Sequence, residues 1–297
     1  MAALANPGYL VSTDWLFDHL NDENLRILDV TPMLTAKLEN RAREECFNNG
    51  HIPGSLFFDV PSGKGVLSDA TADLPWSWPD VGQFQKTMFD YGISNDTRVV
   101  IVARSPRDGI DSGTMWCTRT WWTLHHFGVD CAILEGGIER WVSEDRPIST
   151  EDTEVSSSDA FIADDAWRRG YAGKEDVLAA IDDDSICLVD SLPESSYDGS
   201  GDGYGPRKGH ITGAVNLPFR GLVNSETADF KSAGELTTFL ADALARPSVV
   251  TYCGGAIAAT VDAFALKLLG HHNVSVYDGS LMEWTADDSL PMTDLSA

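Results

Sequence analysis

One short turn of sequence occurs twice, and its neighbours occur twice with it. Gly50-His-Ile-Pro-Gly-Ser55 returns as Gly209-His-Ile-Thr-Gly-Ala214. Leu25-Arg-Ile-Leu-Asp-Val30 precedes the first copy, and Ser185-Ile-Cys-Leu-Val-Asp190 the second. Arg98-Val-Val-Ile-Val102 and Ser248-Val-Val-Thr-Tyr252 follow, then Ala132-Ile-Leu-Glu-Gly-Gly-Ile-Glu-Arg-Trp141 and Val274-Ser-Val-Tyr-Asp-Gly-Ser-Leu-Met-Glu-Trp284. The offsets are 161 (Asp29 to Asp190), 159 (Gly50 to Gly209), 150 (Arg98 to Ser248) and 143 residues (Gly136 to Gly279). Four landmarks in constant order point to a duplicated domain, since a solenoid repeats every ~20–50 residues. Within each half, short apolar runs alternate with helical stretches. The expected helices are Ser12–Leu20, Gln83–Tyr91, Met115–Phe127, Lys174–Ile181, Ala233–Ala245 and Ala256–Leu269. Such alternation predicts an α/β fold, two tandem domains each built on a mostly parallel sheet with helices on both faces. The polar stretch Ser149–Ser158 reads as a linker, which places the boundary near residue 155 and gives domains 1–155 and 156–297. Glu194–Lys208 is polar, glycine-rich and too long for a routine connection, so it is expected to overhang a site.

The stretch from Pro247 to Gly270 carries the chemistry. Ser248–Tyr252 is a β-branched and aromatic run, and Ala256–Leu269 is an apolar helix stopped by Gly270. Cys253, Gly254 and Gly255 lie between them. This arrangement sets Cys253 at the C-terminal edge of a strand and under a helix N-terminus, where open α/β sheets bind ligands. Amide groups without helical partners and the helix dipole favour a thiolate, the nucleophilic form. The two glycines let the loop curl into a nest of inward N–H groups, and Ala256, Ile257 and Ala258 continue its rim.

At 297 residues the chain suits two domains better than one. Its formal charge of −25 speaks against a nucleic-acid partner, which needs basic patches. No apolar run is long enough for a membrane span, and the N-terminus shows no secretion signal. Cys46, Cys117, Cys131, Cys187 and Cys253 are odd in number and never spaced as metal-binding pairs. They are read as reduced thiols in a cytoplasmic protein, without a zinc site or other cofactor.

The landmarks resemble those of the two-domain, tandem rhodanese-type sulfurtransferases that use thiosulfate or 3-mercaptopyruvate. The resemblance spans nearly the whole chain: the two Gly-His-Ile turns, Leu74-Pro-Trp-Ser-Trp-Pro79, Thr118-Arg-Thr-Trp-Trp122 and Tyr277-Asp-Gly-Ser-Leu-Met-Glu-Trp284. It implies a catalytic cysteine in the second repeat, here Cys253, whose counterpart in the first repeat is Ala103. It also implies transfer of a sulfane sulfur from a small anionic donor through a Cys253 persulfide to cyanide, a small thiol or thioredoxin.

The loop Cys-Gly-Gly-Ala-Ile-Ala-Ala is nearer the mercaptopyruvate pattern Cys-Gly-Ser/Thr-Gly-Val-Thr-Ala than the thiosulfate pattern Cys-Arg-Lys-Gly-Val-Thr. By the same resemblance Arg207 holds the donor carboxylate, while Ser191-Leu192 stands where a second arginine is expected. His51 resembles a histidine facing the nucleophile, although a turn histidine also serves to satisfy backbone groups. Arg119 is expected to make a structural ion pair, Trp76 and Trp78 to pack, and Asp29 and Asp190 to cap turns. A Cys-x5-Arg phosphatase is excluded because Ala259 occupies the arginine position. The rival reading is a non-catalytic or regulatory tandem rhodanese that binds a partner or carries persulfide.

Overall fold

The computed structural model describes residues 3–106, 112–155 and 159–296. The chain divides into two compact units, one formed by Gly8–Trp167 and the other by Met1–Pro7 with Arg168–Ala297.

The unit Gly8–Trp167 contains β1 (Leu10–Val11), α1 (Thr13–His19), β2 (Leu25–Asp29), α2 (Ala42–Glu45), β3 (Ser55–Phe57), α3 (Val81–Asp90), β4 (Arg98–Val102), α4 (Gly113–His126), β5 (Asp130–Leu134) and α5 (Gly137–Ser143). Its sheet runs β1-β5-β4-β2-β3 with every pairing parallel. The helices begin where the sequence supplies a cap: the Ser12 side chain accepts from Trp15 N, and the Asp80 side chain from Gln83 N. The α4 segment carries Trp116, Trp121 and Trp122, all fully buried, and so anchors this core. Arg119 on the same helix is buried, donates to the Trp76 carbonyl and lies 5.9 Å over the Trp78 ring. Trp76 and Trp78 are themselves buried.

The polar stretch after α5 folds back onto its own unit. Ser149 and His51 exchange backbone hydrogen bonds of 2.9 Å, and Arg43 meets Asp152 at 3.2 Å. Residues 156–158 of the expected linker lie outside the described residues. Beyond them Phe161 packs edge-on against Phe84, and Trp167 stacks on Phe127 at 4.9 Å. These rings carry the unit on to Trp167.

The other unit contains β6 (Tyr171–Ala172), α6 (Lys174–Ala180), β7 (Ile186–Asp190), α7 (Glu194–Tyr197), β8 (His210–Ile211), β9 (Val215–Asn216), α8 (Ala233–Phe239), α9 (Ala241–Leu244), β10 (Ser248–Tyr252), α10 (Ala259–Leu268), β11 (Val274–Tyr277), α11 (Ser280–Trp284) and β12 (Met292–Thr293). The sheet order is β6-β11-β10-β7-β9, again all parallel, with the same sequence of crossovers as the first. β12 and β8 form a separate two-stranded antiparallel ribbon in the same unit. The central strand β10 is buried on both faces, and α10, apolar almost all round, covers it. At the far end of α10, Ala5 N and Asn6 N donate to the Leu268 carbonyl, and Asn6 Nδ2 donates to that of Lys267. The amino-terminal residues thereby satisfy carbonyls that a helix leaves bare at its C-terminus.

Candidate active site

Chain direction sets the site: β10 ends at Tyr252, and Cys253 is the first residue past the sheet edge. The Cys253 amide donates to Ser280 Oγ at 3.3 Å, and that hydroxyl donates to the Tyr277 carbonyl at 2.8 Å. The Cys253 and Gly254 carbonyls accept from the first amides of α11, Leu281 N and Met282 N, both at 3.0 Å. At the other end Thr251 Oγ1 donates to the Ala259 carbonyl (2.9 Å), and Thr260 Oγ1 to that of Ile257 (2.7 Å). The arc Cys253–Ala258 is therefore pinned at both ends to the strand and to two helices.

Helix α10 begins at Ala259, three residues later than the sequence suggests. The backbone is still curling through Ala256, which sits at φ +60°. Across that curl the amides of Ala259, Gly255 and Ile257 act on the Cys253 sulfur and favour its anionic form. Neither Gly254 nor Gly255 has a positive φ, so the conformational freedom expected of them is used elsewhere. Gly254 is small because the Tyr204 ring lies against it. A Cβ there would stand 2.7 Å from Tyr204 Cγ and closer still to Cδ1 and Cε1. Tyr204 comes from the glycine-rich segment after α7, so that segment reaches over the loop as its length suggests.

The electrostatics correct another expectation. Burial raises the Cys253 pKa above its ordinary range, and the charge of Asp190 adds to the rise. The amides of Ala259, Gly255 and Ile257 oppose this without reversing it. Cys253 is only 3% exposed, and in that setting desolvation outweighs amide hydrogen bonds. The resting group is a thiol that the loop is ready to hold as an anion.

Behind the loop lies a polar pocket of side chains. Asp190 Oδ1 accepts from Leu192 N at 2.9 Å, and burial raises its carboxyl to about 6. The Tyr252 hydroxyl accepts from Ile211 N at 3.0 Å and sits beside that carboxyl. On α10, Asp262 is fully buried next to Ser191, and neither of its oxygens makes a well-formed hydrogen bond.

Two residues assigned to substrate are otherwise engaged. Arg207 donates to four backbone carbonyls: Trp284 (2.6 Å), Asp287 (2.6 Å), Leu290 (2.7 Å) and Thr285 (3.2 Å). Its guanidinium closes the C-terminal end of α11, whereas the N-terminal end of that helix meets Cys253. In this structure the hydrogen bonds of the Arg207 guanidinium go to these carbonyls. His51 belongs to the other unit and is 1% exposed. It lies with Nδ1 2.9 Å from the Phe47 carbonyl, Nε2 3.1 Å from that of Glu151, and its ring stacked on Phe47 at 3.8 Å. His210 repeats the pattern, with Nδ1 2.7 Å from the Tyr197 carbonyl and its ring stacked on Tyr197 at 3.7 Å. Both turn histidines fasten their own turns through backbone carbonyls. Asp29 likewise caps a turn, accepting from Thr31 N at 2.9 Å.

The other sheet has the same frame without the sulfur. The Ala103 carbonyl accepts from Ile138 N (3.2 Å) as that of Cys253 accepts from Leu281 N, while Ser105 N donates to Glu139 Oε1 (2.8 Å). The residues that sequence reasoning missed are Tyr204 and Ser280. Ser280 was findable: it holds φ +48° where the first repeat has Gly137 at φ +60°.

A parallel sheet with a cysteine cradled by amides past its central strand defines a class, and sequence comparison agrees. The rhodanese-like domain family matches residues 12–144 and 174–287, and the chain belongs to that family. A 3-mercaptopyruvate sulfurtransferase of Escherichia coli O157:H7 is 31% identical over 294 residues, 97% of this chain and 98% of that protein. Rattus norvegicus thiosulfate sulfurtransferase is 32% identical over 286 residues, covering 93% and 91%. Among solved structures, SseA from Escherichia coli, described with the rhodanese fold and mechanism of 3-mercaptopyruvate sulfotransferases, matches at TM-score 0.78 and 28% identity. That match covers 92% of this chain and 98% of SseA. The anaerobic ergothioneine biosynthesis enzyme of Chlorobium limicola matches at TM-score 0.83 and 21% identity, covering 99% and 72%, and shares the fold.

Proposed function

We propose that the chain is a sulfurtransferase that carries sulfane sulfur on Cys253. The observation behind this reading is the convergence of the Ala259, Gly255 and Ile257 amides on the Cys253 sulfur, in a loop pinned at both ends. Three donors aimed at one point stabilise a negative sulfur as an oxyanion hole stabilises oxygen. Attack by Cys253 on the outer sulfur of the donor forms an S–S bond. With 3-mercaptopyruvate the carbon–sulfur bond breaks, its electron pair stays on carbon, and carbon takes up a proton to give pyruvate. With thiosulfate the pair leaves on sulfite. A thiol or cyanide then attacks the outer sulfur and restores Cys253, which is ping-pong covalent catalysis.

The donor we favour is 3-mercaptopyruvate. The loop from Gly254 to Ala259 holds no cation, and Arg207 is committed to α11, so nothing on this loop matches the charge of thiosulfate. A small thiol or thioredoxin as acceptor, a cytoplasmic setting, and division of labour between residues 1–155 and 156–297 complete the reading. Among the described residues no helix is long and apolar enough to cross a membrane.

Donor treatment should add about 32 Da to the intact protein, removable by cyanide and absent in Cys253→Ser. Thiocyanate production should disappear in the same variant. An adduct on another cysteine, or wild type as inert as Cys253→Ser with both donors, would replace this reading with the binding or regulatory one.

A further inference from the structure

Tyr204 is the part of the site that no catalytic step above requires. Its neighbours in the chain are tied down. Gly201 N donates to the Ser195 carbonyl (2.7 Å), Lys208 Nζ to that of Gly201 (3.0 Å), and Arg207 to the end of α11. Gly205 is wedged against Thr285, where a Cβ would collide with the side chain. Between these anchors Tyr204, flanked by Gly203 and Gly205, makes no hydrogen bond with the described residues. Contact alone holds its ring against Gly254, beside Cys253, a residue only 3% exposed, while Tyr204 itself is 41% exposed. Burial chiefly, and then the charges of Cys253 and Asp190, raise the pKa of its hydroxyl, in keeping with a ring turned toward the nucleophile.

A reagent must reach a nearly sealed sulfur, and something has to move to admit it. The loop carrying Cys253 is pinned and cannot be that part. The tyrosine ring, unbonded and set between glycines in an anchored strap, is the part that can move at low cost. We propose that Tyr204 is the specificity-determining gate of the Cys253 site, whose ring excludes water and bulky thiols from the sulfur and swings aside for small donors and acceptors. This rests on Cys253 being the sulfur carrier, but access to the thiol can be measured whether or not sulfur is transferred.

The full chain would be labelled with iodoacetamide, and modification of Cys253 followed by peptide mass. Tyr204→Ala should be labelled about tenfold faster than wild type, because exposure governs thiol reactivity. Tyr204→Phe, which keeps the ring, should match wild type, and Tyr204→Trp should be slower. Gly254→Ala evicts the ring from the other side and should behave as Tyr204→Ala does. In turnover with 3-mercaptopyruvate, the ratio of kcat/KM for glutathione to that for cyanide should rise in Tyr204→Ala and stay put in Tyr204→Phe. Equal labelling of all variants overturns the proposal, and so does a Phe variant as fast as the Ala variant. A Tyr204→Ala protein that loses its fold by circular dichroism leaves the decision to Phe and Trp, whose order must then follow ring size. Failure of wild type to form any cyanide-labile adduct would strike the sulfur-carrier reading and leave the labelling series intact.

Discussion

Burial and three amide groups act on the Cys253 sulfur in opposite senses, and burial prevails. Ionisation must therefore wait for alkaline pH or for a bound donor, so labelling of Cys253 should climb steadily as pH rises through neutrality and show no plateau there. A plateau near pH 7 would mean that the amides win. Ala256 adds a local cost, since a left-handed conformation at a residue with a Cβ is unfavourable by about 1 kcal/mol. The sulfur-holding curl is built despite that cost. A larger cost sits at Asp262, buried on α10 with both oxygens unsatisfied and its pKa raised well above the carboxylate range, by burial first. A carboxyl raised on folding ionises earlier in the unfolded chain, so its stability is full below pH ~4 and is lost as pH rises toward the folded pKa. Asp262→Asn should leave the melting temperature at pH 4 nearly unchanged and raise stability at pH 8 by about 1–3 kcal/mol. An equal shift at both pH values would contradict this. Asp190, at about 6, contributes in the same sense over a narrower window.

Among elements, α11 links the loop to Arg207: its first amides hold the Cys253 and Gly254 carbonyls, and the carbonyls of its last residue and of the turn after it hold Arg207. Arg207→Ala exposes those carbonyls and should destabilise the fold by about 2–4 kcal/mol, read as a lower midpoint in urea. KM for the donor should change little, whereas a large rise in KM without loss of stability would restore the carboxylate role. The parallel sheets and most helices were legible because each depends on local pattern: short apolar runs for β2, β4, β7 and β10, a serine cap for α1, an apolar stretch closed by glycine for α4. The placement of Cys253 was legible as well, since a strand, a cysteine, small residues and a helix stand consecutively. What escaped depends on neighbours distant in the chain. Ala256-Ile257-Ala258 reads as the start of a helix, yet Ala256 turns left-handed and the Ile257 amide acts on the Cys253 sulfur instead. Gly254 was expected to let the loop curl and proved to be the seat of a ring about fifty residues earlier in the chain. Nothing around Arg207 announces that a helix ends bare beside it.

For the whole molecule, a formal charge of −25 is the dominant field. Like charges repel more strongly in the compact state than in the expanded chain, and salt screens them over ~10 Å at 0.1 M. The melting temperature should therefore rise with sodium chloride at fixed pH, and a flat or falling curve would show that local pairing compensates the excess. The same field disfavours anionic donors at a distance, which leaves capture to short-range hydrogen bonds. Chain order and mechanical order also part company. Ala5 and Asn6 fasten the helix whose opposite end cradles the sulfur, so residues that precede one unit in the chain complete the unit that follows it. A fragment cut at the polar stretch would strip those carbonyls of their partners and leave the helix frayed behind the loop it supports.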